Sequence, residues 1–288
     1  MRNLIANIPI APEGWKIGRF IFSKSTKRFL EPHTYAHYQL CSGQIERKSI
    51  LSWGETEVMD VLFLYNFFMR GNACREEDSA FFSRSISKGI LLRNEKFYEC
   101  INIALVSIRE TEWKLKHKQK ILAFNWLLRS RVKDELQITF FNKWVVFELL
   151  NNYYDEMASV FKKTLGIKNF LIYRKYWRDI RNSIAHEGKC DYTSFKEKLM
   201  KSYPLGGLRF DVSERKFFTS KVRKKDFSEF LLDSDFVMDM LLTVYFSYVL
   251  GIVSPNKYYH PYYIQRMQQY DVNLKIEARR GIILTAHN

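Results

Sequence analysis

Apolar residues recur at spacings of three and four along most of this chain, and strictly alternating runs are few. Residues 55–70 (ETEVMDVLFLYNFFMR) read as a helix with Gly71 as its stop. A longer helical run spans about 94–131, and another spans about 139–165 with Gly166 as its C′ residue. The next covers 169–187 and closes at Gly188, and a last long helix covers about 226–253. Before residue 50 the pattern is mixed. KIGRFIFS alternates as a strand does, and EPHTYAHYQL reads as a short helix with Pro32 near its start. Residues 205–220 (LGGLRFDVSERKFFTS) alternate around a polar turn and read as a hairpin. The expected fold is mainly α: a helical bundle over 91–253 with a small β-hairpin insertion, a partly helical N-terminal extension over 1–90, and a tail over 254–288.

Composition agrees with a packed helical protein. Hydrophobic residues make up 47% and aromatics 16%, which excludes wholesale disorder, and 12 Gly with 6 Pro are too few for a turn-rich β fold. Residues 236–253 (FVMDMLLTVYFSYVLGIV) approach the length of a membrane span. Asp239, Thr243 and Ser247 form a polar stripe on one face there, which fits a helix buried in a bundle better. The N-terminus, MRNLIANIPIAPEG, has a broken apolar stretch too short for a signal peptide. Cys41, Cys74, Cys100 and Cys190 are scattered without CxxC spacing, so neither a disulfide framework nor a zinc ribbon is indicated. The expected location is the cytoplasm, without membrane attachment.

Charge narrows the function. Forty-six Lys and Arg face 31 Asp and Glu, a formal net charge of +15, which suits a polyanionic partner such as RNA. Part of that excess gathers between Phe161 and Lys189, and part in Lys221, Arg223, Lys224 and Lys225. Such runs are ordinarily solvated faces, and any chemistry lies with the residues among them.

Between 169 and 189 the sequence reads NFLIYRKYWRDIRNSIAHEGK. Phe170, Tyr173, Trp177, Ile180 and Ile184 make an apolar stripe. A step of about 100° per residue places His186 nearly opposite that stripe. Asn182 lies one turn earlier on the same side, Arg178 one turn before that, and Arg181 on the border of the two faces. A His in that position faces outward unless the helix is wrapped on both sides.

The run Arg181-Asn182-Ser183-Ile184-Ala185-His186 resembles the R-x4–6-H motif of HEPN domains, with a polar residue after the Arg and a small residue before the His. The resemblance implies a bundle of about four helices, paired as a homodimer so that two motifs face one cleft. It implies an intracellular, metal-independent endoribonuclease, a toxin or antiphage-defence effector, with an antitoxin or regulatory partner as a further expectation. The position two residues after His186 is Gly188, where nucleotidyltransferase-coupled HEPN toxins carry Tyr, so this chain resembles a different branch. HEPN domains also include non-catalytic RNA-binding or partner-binding modules, which is the alternative reading.

The residue types suit that chemistry. RNA carries its own nucleophile in the 2′-OH; His titrates near neutrality and serves as acid or base. Arg holds two phosphate oxygens through its fork, and Asn182 donates to an oxygen or orients His186. Arg181, His186 and Asn182 are therefore the expected catalytic residues. Arg174, Lys175, Arg178 and the cluster Lys221, Arg223, Lys224 and Lys225 are expected to bind RNA, with Tyr173, Tyr176 and Phe227 as stacking surfaces. Arg181 and His186 lie about 140° apart on an ideal helix, so a partner chain is expected to complete the site.

No metal and no cofactor is expected. His33, His37 and Cys41 fall at i, i+4 and i+8, but Cys41 would sit about 12 Å along a helix from His33, too far to share one ion. GxxxxGK[ST], GxGxxG and GxSxG are all missing from the sequence. His260 in YYHPYY reads as part of an aromatic packing cluster.

Overall fold

The computed structural model describes residues 4–6, 14–25, 35–52, 55–69, 73–75, 96–131, 135–168, 170–193 and 227–268. These are mainly helical, with one small antiparallel sheet. The chain divides into two compact units, Met1–Lys133 with Phe246–His260 and Asp134–Tyr245 with Pro261–Asn288. The expected hairpin over 205–220 and the basic cluster Lys221, Arg223, Lys224 and Lys225 lie outside the described residues.

The first unit is built on a five-stranded sheet: β1 (Leu4–Ala6), β2 (Trp15–Ile17), β3 (Phe20–Lys24), β4 (Tyr35–Leu40) and β5 (Cys74–Arg75), in the order β2-β3-β4-β1-β5. The alternating KIGRFIFS run is the β2–β3 hairpin, with Ile17 opposite Phe20 and Trp15 opposite Phe22. Phe20 and Phe22 are buried while Ile21 and Ser23 point outward, the period-two pattern of a strand with one covered face.

EPHTYAHYQL overturns its helical expectation, because Tyr35–Leu40 is strand β4. It pairs with β3 through Phe22↔Tyr38 and with β1 through Ile5↔Ala36. Pairing on both edges outweighs the weak local helical signal, and Tyr suits a pleated surface. His37 and Cys41 thereby lose the helical spacing that raised the zinc question. Among the described residues no three His, Cys, Asp or Glu side chains gather as a metal site.

Helix α1 (Val58–Met69) is buried on most of its circumference, from Val58 and Val61 to Phe67 and Phe68. It packs against α2 (Phe97–Ile108) and α4 (Lys118–Ser130), with Phe67 5.0 Å from Phe124 between ring centres. The expected boundary near residue 90 therefore falls between helices that pack together. The single run expected over 94–131 is three helices, with short α3 (Trp113–Lys116) between the others. The break falls where RETE supplies no apolar residue. Glu112 there takes φ +65°, and Arg109 turns back to donate to Lys48 O and Asp60.

The second unit is helical among its described residues. The run expected over 139–165 is α5 (Leu136–Leu149), a 3-10 turn at Asn151–Tyr153 and α6 (Tyr154–Leu165). Two consecutive Asn, poor helix formers, mark the interruption. Helix α6 ends on Gly166 at φ +74°, whose N–H still reaches Lys162 O, as its C′ role requires. Then come α7 (Phe170–Glu187) and α8 (Phe227–Val249); the last turn of α8, from Phe246, belongs to the first unit.

Every residue of α8 from Val237 to Ser247 is buried, including the stripe Asp239, Thr243 and Ser247. Thr243 Oγ1 donates to Asp239 O, and Ser247 Oγ meets Tyr259 OH. Among the described residues no helix is long and apolar enough to cross a membrane. The tail also carries order: Pro255–Tyr258 and residues 261–268 are helical.

Candidate functional site

The motif helix α7 is held by its apolar stripe. Phe170, Trp177 and Ile180 are buried and Ile184 is half-buried. Phe170 meets Phe161 of α6 at 4.9 Å and Phe147 of α5 at 5.9 Å, and Trp177 meets Phe147 at 5.5 Å, all between ring centres. Such aromatic contacts fix the rotation of α7 about its axis and hence the direction of every polar residue on it. Asp179 and Ser183 are buried as well, so the covered face is wider than the stripe.

From Ala185 to Lys189 the chain is exposed, and Gly188 reverses it at φ +71°. It then returns to α5, where Gln137 accepts from Cys190 N at 2.9 Å and Cys190 is buried. The end of α7 is thus anchored on both sides of an exposed turn. His186 stands in the last turn of α7, just before that reversal, and is exposed, which removes the reading of a buried core histidine.

Arg181 and Asn182 sit more deeply, both half-buried. The Arg181 guanidinium donates to Asn182 Oδ1 at 2.9 Å and stands 3.3 Å from Glu148 Oε2 on α5. The other Glu148 oxygen accepts from Trp144 Nε1 at 2.9 Å. Arg178 is 3.8 Å from the adjacent carboxylate of Asp179, a long ion pair. The Arg174 guanidinium lies 4.1 Å above the Tyr154 ring. Burial pushes the Tyr154 hydroxyl above its ordinary range despite that neighbouring cation, and the hydroxyl donates to Phe147 O.

Helix α7 continues unbroken through both Arg181 and His186. Their ideal angular separation of about 140° therefore holds within one chain, and no contact joins their side chains among the described residues. The structure brings together Arg181, Asn182 and Glu148, and leaves His186 apart. The side chains of Tyr173, Lys175, Tyr176 and Phe227 lie outside what the structure describes.

The basic residues of this region fall into two sets. Lys162, Lys163, Lys168 and Lys189 are exposed, and Arg174, Arg178 and Arg181 are half-buried, each against a ring or a carboxylate. Sequence reasoning missed Glu148 and Tyr154, the groups that hold Arg181 and Arg174. Glu148 lies 33 positions before Arg181, and nothing local marks it. Comparison of the chain with protein-family models, with curated proteins and with solved structures returned no match.

Proposed function

We propose that this protein is a metal-independent endoribonuclease of the HEPN kind that acts as a homodimer. The observation that carries the reading is the presentation of the RNSIAH segment. One anchored helix turns its apolar face inward and leaves Arg181 and Asn182 at its border and His186 in solvent. In this reading His186 moves the proton of the 2′-OH or of the leaving 5′-oxygen. Arg181, steadied by Glu148 and Asn182, stabilises the charge that builds on the phosphorane oxygens. One His cannot serve as acid and base at once, and Arg181 does not meet His186 within a chain. A second copy across an isologous interface supplies both missing groups. The exposed lysines of α6 and the turn after α7 suit the phosphates of a longer RNA. The setting that the motif's resemblance implies is a toxin or defence effector in the cytoplasm, with an antitoxin or regulatory partner.

The bridge between Arg181 and Glu148 favours one rival, a non-catalytic HEPN-like module in which Arg181 is a structural ion. Incubation of the purified protein with total RNA in EDTA separates the two. The enzyme should cleave under chelation, leave 2′,3′-cyclic phosphate and 5′-hydroxyl ends, and fall silent in His186→Ala. Binding without cleavage, unchanged in His186→Ala, supports the module instead. Activity lost in EDTA and restored by magnesium would sink the mechanism.

A further inference from the structure

The first unit contains a cleft of about 390 Å³ between the β2–β3 turn, Arg47, the start of α1 and α2. That volume is at the low end for small-molecule sites, roughly 300–1,000 Å³. Its floor is Phe20, Val61 and Leu105, and the exposed Val106 forms one apolar side. The walls are braced. Arg19 donates to Glu57 at 2.8 Å, to Ile45 O at 2.7 Å and to Gln44. Arg109 bridges to Asp60 at 2.5 Å and stands 3.6 Å from Glu57. Gly18 takes φ +57°, and a Cβ there would lie 3.0 Å from Leu105 Cδ1, so glycine allows the turn to close on α2. The Gly18 N–H donates to Asn102 Oδ1 at 2.9 Å, tying turn and helix together.

Most charged groups of the lining are therefore used internally. Two are not: Arg47 and Glu110 both line the cleft and are both exposed. Among the described residues neither side chain has a hydrogen bond or an ion pair, with each other or with anything else. A cation and an anion beside one apolar floor, each hydrated and without a protein partner among the described residues, form a pattern that one kind of small molecule completes.

We infer that this cleft binds a small zwitterion with an apolar side group, of which an α-amino acid is the simplest example. Arg47 takes the carboxylate, Glu110 takes the ammonium, and the side group lies over Leu105 and Val106. A simple organic anion would leave Glu110 facing it unfavourably, and a simple amine would do the same to Arg47. The ligand's two charges are what the site reads, and the apolar floor contributes affinity rather than choice.

The test titrates the full chain by calorimetry with phenylalanine, phenylpropionate and phenethylamine, which share one ring and differ in charge. Phenylalanine should bind saturably at millimolar or lower concentration, and each singly charged analogue about tenfold more weakly, the usual loss for one charge-assisted contact. Arg47→Ala should abolish the preference over phenethylamine, and Glu110→Gln the preference over phenylpropionate. Both positions are exposed, so each variant should melt as the parent does. Phenylpropionate binding as tightly as phenylalanine, no saturable binding of phenylalanine, or preferences unchanged in folded variants would each overturn the proposal.

Discussion

Each unit sets an arginine against a carboxylate, under opposite conditions. In the first, Asp60 has no exposed surface. It accepts from Ser49 Oγ, from the Ile50 and Leu51 N–H groups and from Arg109. In the second, the Glu148 side chain is 47% exposed and accepts from Trp144 beside Arg181. Burial removes water from Asp60, so its oxygens are met by protein donors, two of them N–H groups of the 49–52 turn. The Asp60 cluster is therefore architecture. Glu148 and Arg181 remain in reach of solvent and can exchange their mutual contact for another at little cost. A charged pair at a surface is free to acquire a ligand, and a buried one is already committed.

Substitution at Asp60 should break this comparison most visibly. Asp60→Ala leaves the Ser49 hydroxyl and two N–H groups without their carboxylate and takes from Arg109 its shortest ion pair, and should cost about 3–5 kcal/mol, the range for removing one partner of a buried ion pair. Urea unfolding followed by tryptophan emission measures it. A loss below about 1 kcal/mol would mean that water replaces the carboxylate and that the cluster is no framework.

How far each cluster was legible from sequence follows from the distance between its parts. The outward placement of His186 follows from helical geometry alone, because Phe170, Trp177 and Ile180 define the inward face within the same helix. Gly166 and Gly188 likewise mark their helix ends locally. Asp60, by contrast, draws its partners from positions 11 residues before it and 49 after it. No periodicity signals such a meeting. Strand β4 was misread for a related reason: its identity comes from pairing with β3 on one edge and with the distant β1 on the other, which its own residues do not record. Arg181 was found through its motif, whereas Glu148, its partner across two helices, was not.

The second test sharpens the other side. Arg181→Ala should change stability by no more than about 1 kcal/mol, the upper end for partly exposed ion pairs. Under the proposed function it should nevertheless cut RNA cleavage by roughly a hundredfold or more. Arg181→Lys should do nearly the same, because an ammonium lacks the two-pronged geometry. Arg178→Lys should mainly weaken RNA binding as salt rises. If folded Arg181→Lys cleaves normally while Arg178→Lys is inactive, the two arginines exchange roles. If Arg181→Ala unfolds the protein as Asp60→Ala does, Arg181 is architecture too.

The smallest expected effect separates the two kinds of carboxylate by pH. Glu99 on α2 accepts from Lys257 and Tyr258, both at 2.9 Å, and from Lys96 at 3.3 Å, which fastens the 255–258 helix to α2 within the first unit. Those donors, Lys257 foremost, hold its carboxyl down to about 2, against an ordinary 4.5. Asp60 goes the other way, because burial raises its carboxyl above the ordinary 3.8 and outweighs the donors around it. The signs follow from linkage. A lowered folded value means that the Glu99 contribution is complete above pH 4.5 and is lost as pH falls toward about 2. A raised one means that the pH-dependent part of the Asp60 contribution is complete below 3.8 and is lost as pH rises through its folded value. Acid should therefore release the 255–258 segment while the 49–60 cluster holds. Amide hydrogen exchange, corrected for its intrinsic pH dependence, should show the Lys257 amide losing protection between pH 4.5 and about 2, with α1 still protected. Glu99→Gln removes the charge while keeping the shape, and should produce the same local loosening at neutral pH. Protection at Lys257 unchanged in Glu99→Gln would show that the segment is held by burial of Tyr258 and Tyr259 and owes nothing to the carboxylate.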